Sequence, residues 1–460
     1  MTAPVDDALL AGIVARVGDP EDFAAFQASG KSCRWCAEPV RLIGKSATVD
    51  ADTGELYESF SSAELPRGEL VKACGTRRAS RCPSCAALYQ GDARSLVVSG
   101  LVGGKGTAEA VASRPMVFAT LTAPSFGAVH RRPTAGGPCQ ARGPGRCVHG
   151  RAVSCVVHHD ANDQLLGEAI CASCYDYEAA VLFNAQLSEL WRRTSIYARR
   201  HLARLSGMTA RALDQTIRLS YVKVAEFQRR GVVHLHVLCR LDGSDGTDPP
   251  PIFTTALLAL ALRVAVGHVR APYPEARGEA RWGEQFDCRA LGPGVPGETR
   301  RIANYLAKYA TKGSDDDGAL DRRLRGLEDL KARALAPQLR RMAEVAWRLG
   351  GEPGLSGLRL RNWAHTLGLR SHFLTKSRRF STTFRALRAA RQDHRRAERL
   401  GRAGTSAETL AGALVVVGEW TYLGRGWRTR AEAYLAASEA RRAEEARRYA
   451  REERLLGMAR

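Results

Sequence analysis

Apolar and polar positions alternate most sharply at residues 232–239. Val232, His234, His236 and Leu238 fall on one side of a strand there, and Val233, Leu235, Val237 and Cys239 on the other. The second side reads as buried core, so the first carries two imidazoles side by side. Another strand-like run, Tyr221-Val222-Lys223-Val224-Ala225-Glu226-Phe227, comes just before, with residues 228–231 as a hairpin connection. Glu226 then lies opposite the start of the histidine strand. Residues 115–124 and 284–291 give further strands. Helical spacing marks 5–17, a second small helix near Phe23 and Phe26, 175–205, 252–269, a segment from about 298, and 320–349. Leu182, Phe183, Leu187, Leu190 and Trp191 in the long third helix read as core. Beyond these come a strand at 414–420 and a charged helix at 428–460 with Glu and Arg at i, i+4 spacing. The central order, β-α-β-β-α-β, predicts an α+β fold: a split, ferredoxin-like antiparallel sheet backed by helices, with the histidine strand central.

Two imidazoles on one strand face can hold a divalent metal and leave positions open for a third ligand and a substrate oxygen. Glu226 is the natural third ligand, and a pair of ordinary satisfied histidines is the alternative. Further along stands Tyr305-Leu306-Ala307-Lys308-Tyr309-Ala310-Thr311-Lys312. On a helix, residues four apart share a face, so Tyr305 and Tyr309 stack one turn apart with Lys308 and Lys312 beside them. Lysines so placed can orient a phosphodiester and favour a phenolate. An amphipathic helix with two half-buried tyrosines is the plainer reading.

Composition narrows the class of partner. With 69 Lys+Arg against 48 Asp+Glu, the chain carries a formal charge of +21, which points to a polyanion, nucleic acid before anionic membrane. No apolar run has the length of a spanning helix, since residues 252–269 are interrupted by Arg263 and His268. The acidic start lacks the features of a signal peptide, and a cytoplasmic location is expected. Hydrophobic content of 45% excludes wholesale disorder.

Twelve cysteines in such a chain suggest metal rather than disulfides. Cys33, Cys36, Cys82 and Cys85 form two CxxC knuckles that predict a structural zinc, with Cys74 as a possible replacement for one ligand and buried free thiols as the alternative. A second cluster holds Cys139, Cys147, His149, Cys155, His158, His159, Cys171 and Cys174, more than one tetrahedral site needs. Cys147, Cys155, Cys171 and Cys174 are the first choice from that set. Arg229, Arg230, Lys376, Arg378 and Arg379 are candidate DNA contacts, and the basic stretch 359–396 interleaves Trp363, Phe373, Phe380 and Phe384 as stacking candidates. A solvated basic helix is the competing reading.

These motifs resemble the HUH endonucleases, and among them the rolling-circle replication initiators of actinobacterial plasmids and integrative elements. Phe118 to Pro124 matches the first motif, Gly231 to His236 the histidine motif and Tyr305 to Lys312 the tyrosine motif. Tyrosine after histidine is the order of replication initiators rather than conjugative relaxases. The resemblance implies a site- and strand-specific nickase acting on single-stranded or supercoiled origin DNA. It would form a 5′-phosphotyrosine and a 3′-hydroxyl primer, use magnesium or manganese, and work with a host helicase and polymerase. A two-tyrosine transposase and a zinc-dependent DNA-binding regulator remain as alternatives. No P-loop is present, so no helicase motor is expected within the chain. The expected division is a zinc-binding module over 1–110, a nuclease domain over 115–313 with a cysteine-rich insertion at 136–175, a helical connector over 314–356 and a mostly helical, basic DNA-binding region over 357–460.

Overall fold

The computed structural model describes residues 6–65, 67–134, 136–140, 143–292, 296–311, 320–402 and 414–457. Contacts divide the chain into two compact units. The first joins the residues up to Asp92 with those from Phe384 on, and the second is Ala93–Thr383.

The amino-terminal part opens with α1 (Asp7–Gly18) and α2 (Pro20–Ser32). The carboxylates of Asp6 and Asp19 cap them by accepting backbone N–H groups that a helix start leaves unpaired. Three strands, β1 (Val40–Asp50), β2 (Leu56–Ser61) and β3 (Leu70–Lys72), precede α3 (Pro83–Val102), within which the unit boundary falls. The alternation of residues 40–50 is weak, and no strand was expected there.

The second unit contains a five-stranded antiparallel sheet. Its chain order runs β4 (Met116–Leu121), α4 (Tyr177–Leu205), α5 (Ala210–Thr216), β5 (Ile217–Phe227), β6 (Val233–Gly243) and α6 (Thr255–His268). After these come the small ribbon β7 (Arg270–Pro272) and β8 (Glu279–Arg281), then β9 (Phe286–Leu291) and α7 (Pro296–Thr311). Short helices α8 (Glu328–Lys331), α9 (Pro337–Leu349) and α10 (Leu360–Trp363) lead to β10 (Leu374–Lys376). In space the strands run β10-β5-β6-β4-β9, which makes the histidine strand the central one.

Each face of this sheet has its own cover. Val233, Leu235, Val237, Cys239 and Leu241 bury their side chains in one core with α4 and α6. Arg240, on the opposite face, is almost fully buried and donates to Asp242 Oδ1 at 2.6 Å and to the Phe380 carbonyl at 3.0 Å. Arg114 also donates to Asp242 at 2.8 Å, so both buried guanidinium groups have a carboxylate partner. The β5–β6 turn is fixed from α4: Asn184 donates to the Gly231 carbonyl at 2.9 Å and accepts from Val233 N at 3.1 Å. Gly231 has φ +78, and a Cβ there would meet Leu367 and Leu339 at 3.0–3.1 Å.

The carboxy-terminal part returns to the first unit with α11 (Phe384–Arg402), β11 (Leu414–Arg425) and α12 (Arg430–Gly457). β11 pairs antiparallel with the whole of β1, from Val40 opposite Arg425 to Asp50 opposite Leu414. Glu432 is fully buried and receives Arg16 and Arg67, each at 2.5 Å. Both ends of the chain thus build one unit.

Several expectations are corrected by these contacts. The helix expected over 320–349 is broken, because Pro337 begins a new helix rather than continuing one. Leu355, within the boundary expected at 350–357, and Leu358, just past it, are buried in the main core. Phe373 and Phe380 are core rather than stacking platforms. Contacts divide the chain at 92 and 383. The acidic triplet Asp315 to Asp317 lies outside the described residues. Among the described residues no helix is long and apolar enough to cross a membrane.

Lys223, on β5, is buried, and desolvation pulls its amine down to about 8. The unfolded amine titrates near 10.5, so between about 8 and 10.5 the unfolded chain binds more protons and this residue's contribution to stability improves as pH rises. Lys223→Met is expected to stabilise the protein by about 2 kcal/mol at pH 7 and to narrow that gain towards pH 10.5. Urea unfolding of both proteins across this range is the check, and a gap independent of pH would refute it.

Candidate active site

The hairpin register sets the geometry of the site. Glu226 pairs with His234 and Val224 with His236, so the period of two places the carboxylate and both imidazoles on one face. His236 Nε2 lies 2.6 Å from Glu226 Oε2, while its Nδ1 lies 3.1 Å from Thr120 Oγ1 on the neighbouring strand β4. The threonine therefore aims the other ring nitrogen into the site. Phe118, two residues earlier, stacks on the His236 ring at 6.2 Å.

Tyrosines from α7 close over these groups. Tyr305 Oη is 3.2 Å from His236 Nε2 and 3.5 Å from Glu226 Oε2. Its ring is 4.7 Å from that of Tyr309, which itself lies 5.8 Å from the His236 ring. Lys308 sits with Nζ 5.7 Å from the centre of the Tyr309 ring. α7 is amphipathic, with Ala303, Leu306, Ala307 and Ala310 buried, and that packing turns both tyrosines to the sheet. Arg94 of α3 donates to Asn304 at 2.7 Å, a further tie on this helix.

Electrostatics suit a cation. Burial pulls His234 down to about 4, with His236 and Arg230 adding to the effect, so the ring is neutral and a lone pair is free to ligate. Burial is the largest influence on Glu226 and works to raise it, but the hydrogen bond and charge of His236, with Tyr309 and His234 adding to them, together hold the carboxyl below its ordinary value. Tyr305 is pushed up, first by burial and then by the Glu226 charge, so its phenol stays protonated unless positive charge offsets that carboxylate. Two imidazoles and one carboxylate are a donor set that a divalent cation can use.

Among the described residues, the groups that bring their ligand atoms within 4.8 Å of one another and could hold a metal such as zinc are three four-residue sets away from this site. Cys36, Cys74, Cys82 and Cys85 make the first, so Cys74 takes the place expected for Cys33. Cys33 is buried beside them, its thiol 3.5 Å from the Gly30 carbonyl. The expected set of Cys147, Cys155, Cys171 and Cys174 separates: Cys155 groups with His130, Cys139 and His159, while Cys147, Cys171 and Cys174 take His149. His130 was missed because it stands ahead of the cysteine cluster, with nothing local to mark it.

The sequence comparisons follow this geometry. A family described as "Replication initiator protein, pSAM2" (RepSA) matches residues 22–441. The chain belongs to the RepSA family of replication initiator proteins. It is also 40% identical over 454 residues to a protein of Streptomyces ambofaciens named "Replication initiator protein", covering 96% of this chain and 95% of that one. No solved structure matches. The RepSA match spans every described residue of the site and all three cysteine groups.

In this RepSA initiator the basic candidates fare unevenly. Arg230 is spent on the carbonyls of Pro124 and Ala123 and on Gln228, and Arg229 donates to the carbonyls of Asp163 and Ala161. Lys376 donates to three carbonyls between Ser377 and Ser381. Both arginines and this lysine hold loops in place. Arg378 and Arg379 are exposed. Lys312 lies outside the described residues.

The choice between Cys33 and Cys74 can be measured. Cys74→Ser is expected to lower zinc content by one ion per chain in elemental analysis, and Cys33→Ser to leave it unchanged. A loss from Cys33→Ser alone would reverse the assignment.

Proposed function

We propose that this initiator is an HUH-type nickase, which opens origin DNA by tyrosine attack and leaves a primer for rolling-circle replication. The observation that carries the reading is the Tyr305 hydroxyl placed against both His236 and Glu226. Further support comes from the strand order β5-β6-β4-β9, the order of a split, ferredoxin-like sheet. The +21 charge suits a polyanionic substrate, and the exposed Arg378 and Arg379 are available for phosphate contacts.

Glu226, His234 and His236 would hold one magnesium or manganese ion. When bound, it would polarise the scissile phosphate and offset charge on the leaving oxygen. In this reading Tyr305 attacks first, its hydroxyl touching His236 as well as the Glu226 carboxylate that Tyr309 also bonds. Its phenolic oxygen bonds to phosphorus, the bond from phosphorus to the 3′ oxygen breaks, and the proton given up by the phenol is balanced by the one gained at the 3′-hydroxyl. A 5′-phosphotyrosine conserves the bond energy. Tyr309 stands one turn away on the same helix face, placed to attack the junction regenerated after a round of synthesis. Lys308, exposed beside Tyr309, would orient the phosphodiester. Host helicase and polymerase would then extend from the 3′ end.

A two-tyrosine transposase would share these groups. The initiator named in Streptomyces ambofaciens favours an origin over element ends as the substrate.

With supercoiled origin plasmid, nicking is expected to require a divalent cation, and His236→Ala to slow it by about a hundredfold or more while filter binding of DNA persists. Tyr305→Phe combined with Tyr309→Phe should leave no covalent DNA adduct, because phenylalanine keeps the ring packing and removes the oxygen. Peptide mass spectrometry of the wild-type adduct should locate the nucleotide on one of the two. An adduct elsewhere, or undiminished cleavage in EDTA, would refute the mechanism.

A further inference from the structure

Between β4 and α4 the chain runs through loops held by few strand bridges, at Val129 with Ala169, Gln140 with Cys155 and Arg146 with Ala152. Among the described residues of this stretch, eight cysteine and histidine side chains gather into two groups that could hold a metal. His130, Cys139, Cys155 and His159 form one, and Cys147, His149, Cys171 and Cys174 the other. In chain order the first and third pairs belong to one group and the second and fourth to the other. The groups are interleaved.

Spacings within them are those of a tetrahedron around zinc. With zinc–sulfur bonds near 2.3 Å and zinc–nitrogen bonds near 2.0–2.1 Å, tetrahedral edges come to about 3.3 Å between two nitrogens and about 3.6 Å between sulfur and nitrogen. His130 Nδ1 to His159 Nε2 is 3.2 Å, Cys139 Sγ to His130 Nδ1 is 3.7 Å, and Cys155 Sγ to His159 Nε2 is 3.6 Å. In the other group His149 Nδ1 lies 3.2 Å from Cys174 Sγ and 3.9 Å from Cys171 Sγ. Surrounding contacts favour ligation as well. His159 Nδ1 pairs with Asp163 at 2.5 Å, which turns Nε2 to the centre, and Arg131 N donates to Cys139 Sγ at 3.2 Å. His158, next in sequence to His159, is exposed and takes no part.

We propose that residues 130–174 form a binuclear zinc module with interleaved ligands, one ion on two cysteines and two histidines and the other on three cysteines and His149. Both donor sets are among those zinc uses in closed structural sites. Interleaving matters because neither ion can close its loop without the ligands of the other being brought into register. A segment with little strand pairing thereby acquires a fixed shape. Its far side meets the histidine hairpin: Arg229 donates to the carbonyls of Asp163 and Ala161 at 3.1 and 2.9 Å. The module stands independently of any nicking activity.

Elemental analysis of the full-length chain tests it, with double variants compared against wild type. Cys139→Ser with Cys155→Ser should remove one zinc ion per chain, and Cys139→Ser with Cys147→Ser should remove two. The reverse pattern would mean consecutive ligand sets and would overturn the interleaving. Zinc-edge X-ray absorption on the unmutated protein gives a reading that no folding defect can confound. Nine sulfurs and three imidazole nitrogens are expected around three ions, counting the Cys36, Cys74, Cys82 and Cys85 group. A zinc shell without imidazole nitrogen, or a folded protein without zinc, would overturn the proposal.

Discussion

The antiparallel pairing of β5 with β6 is the constraint on which the site depends. A slip of one residue would turn His234 and His236 into the core and Val233, Leu235 and Val237 towards α7, because the pleat has a period of two. Register is therefore held from several directions. Asn184 bonds Gly231 and Val233 where the turn enters β6, Gly231 supplies the positive φ, and the buried apolar side chains make the alternative costly. The same pairing that buries the core delivers Glu226 to His236.

A sheet with polar groups on one face needs a cover that satisfies them. Here the cover changes character along β6. Near Arg240 it is closed, with the guanidinium matched by Asp242 and by carbonyls of Gly100 and Phe380. Two turns of pleat away it opens, and α7 lays two tyrosines over His236. Tyr305 is 37% exposed, enough for a substrate to reach its oxygen while its ring stays packed against Phe118. Packing and the proposed reactivity thus share one helix face.

The cysteine groups lie in segments that lack a large apolar core. Around Cys36, Cys74, Cys82 and Cys85 the buried neighbours are few, Val71 among them, with Trp427 donating to the Cys36 carbonyl at 2.9 Å. Backbone N–H groups of Ala37 and Cys74 point at the Cys82 and Cys36 sulfurs at 3.3 and 3.2 Å. Such contacts stabilise thiolate, the form that ligates metal. In the first unit this group lies near the strand β1 that both chain ends share.

The sequence by itself determined what repeats locally. The alternation at 232–239, the carboxylate across the turn at Glu226, and the four-residue spacing of Tyr305 and Tyr309 are properties of near neighbours, so strand and helix periods convert them directly into faces. Tertiary structure decided what depends on distant partners. Which of the cysteines and histidines gather into one group follows from loop paths that no spacing specifies, so Cys74 stands where Cys33 was expected and His130 entered unannounced. Thr120 became the partner of His236 because β4 pairs with β6. β1 and β11 form one sheet although hundreds of residues separate them, and Phe373, Phe380, Arg230 and Lys376, which composition assigns to DNA, are drawn into cores and loop ties. Composition counts charges and rings, but burial and bonding are settled by which chain segments meet.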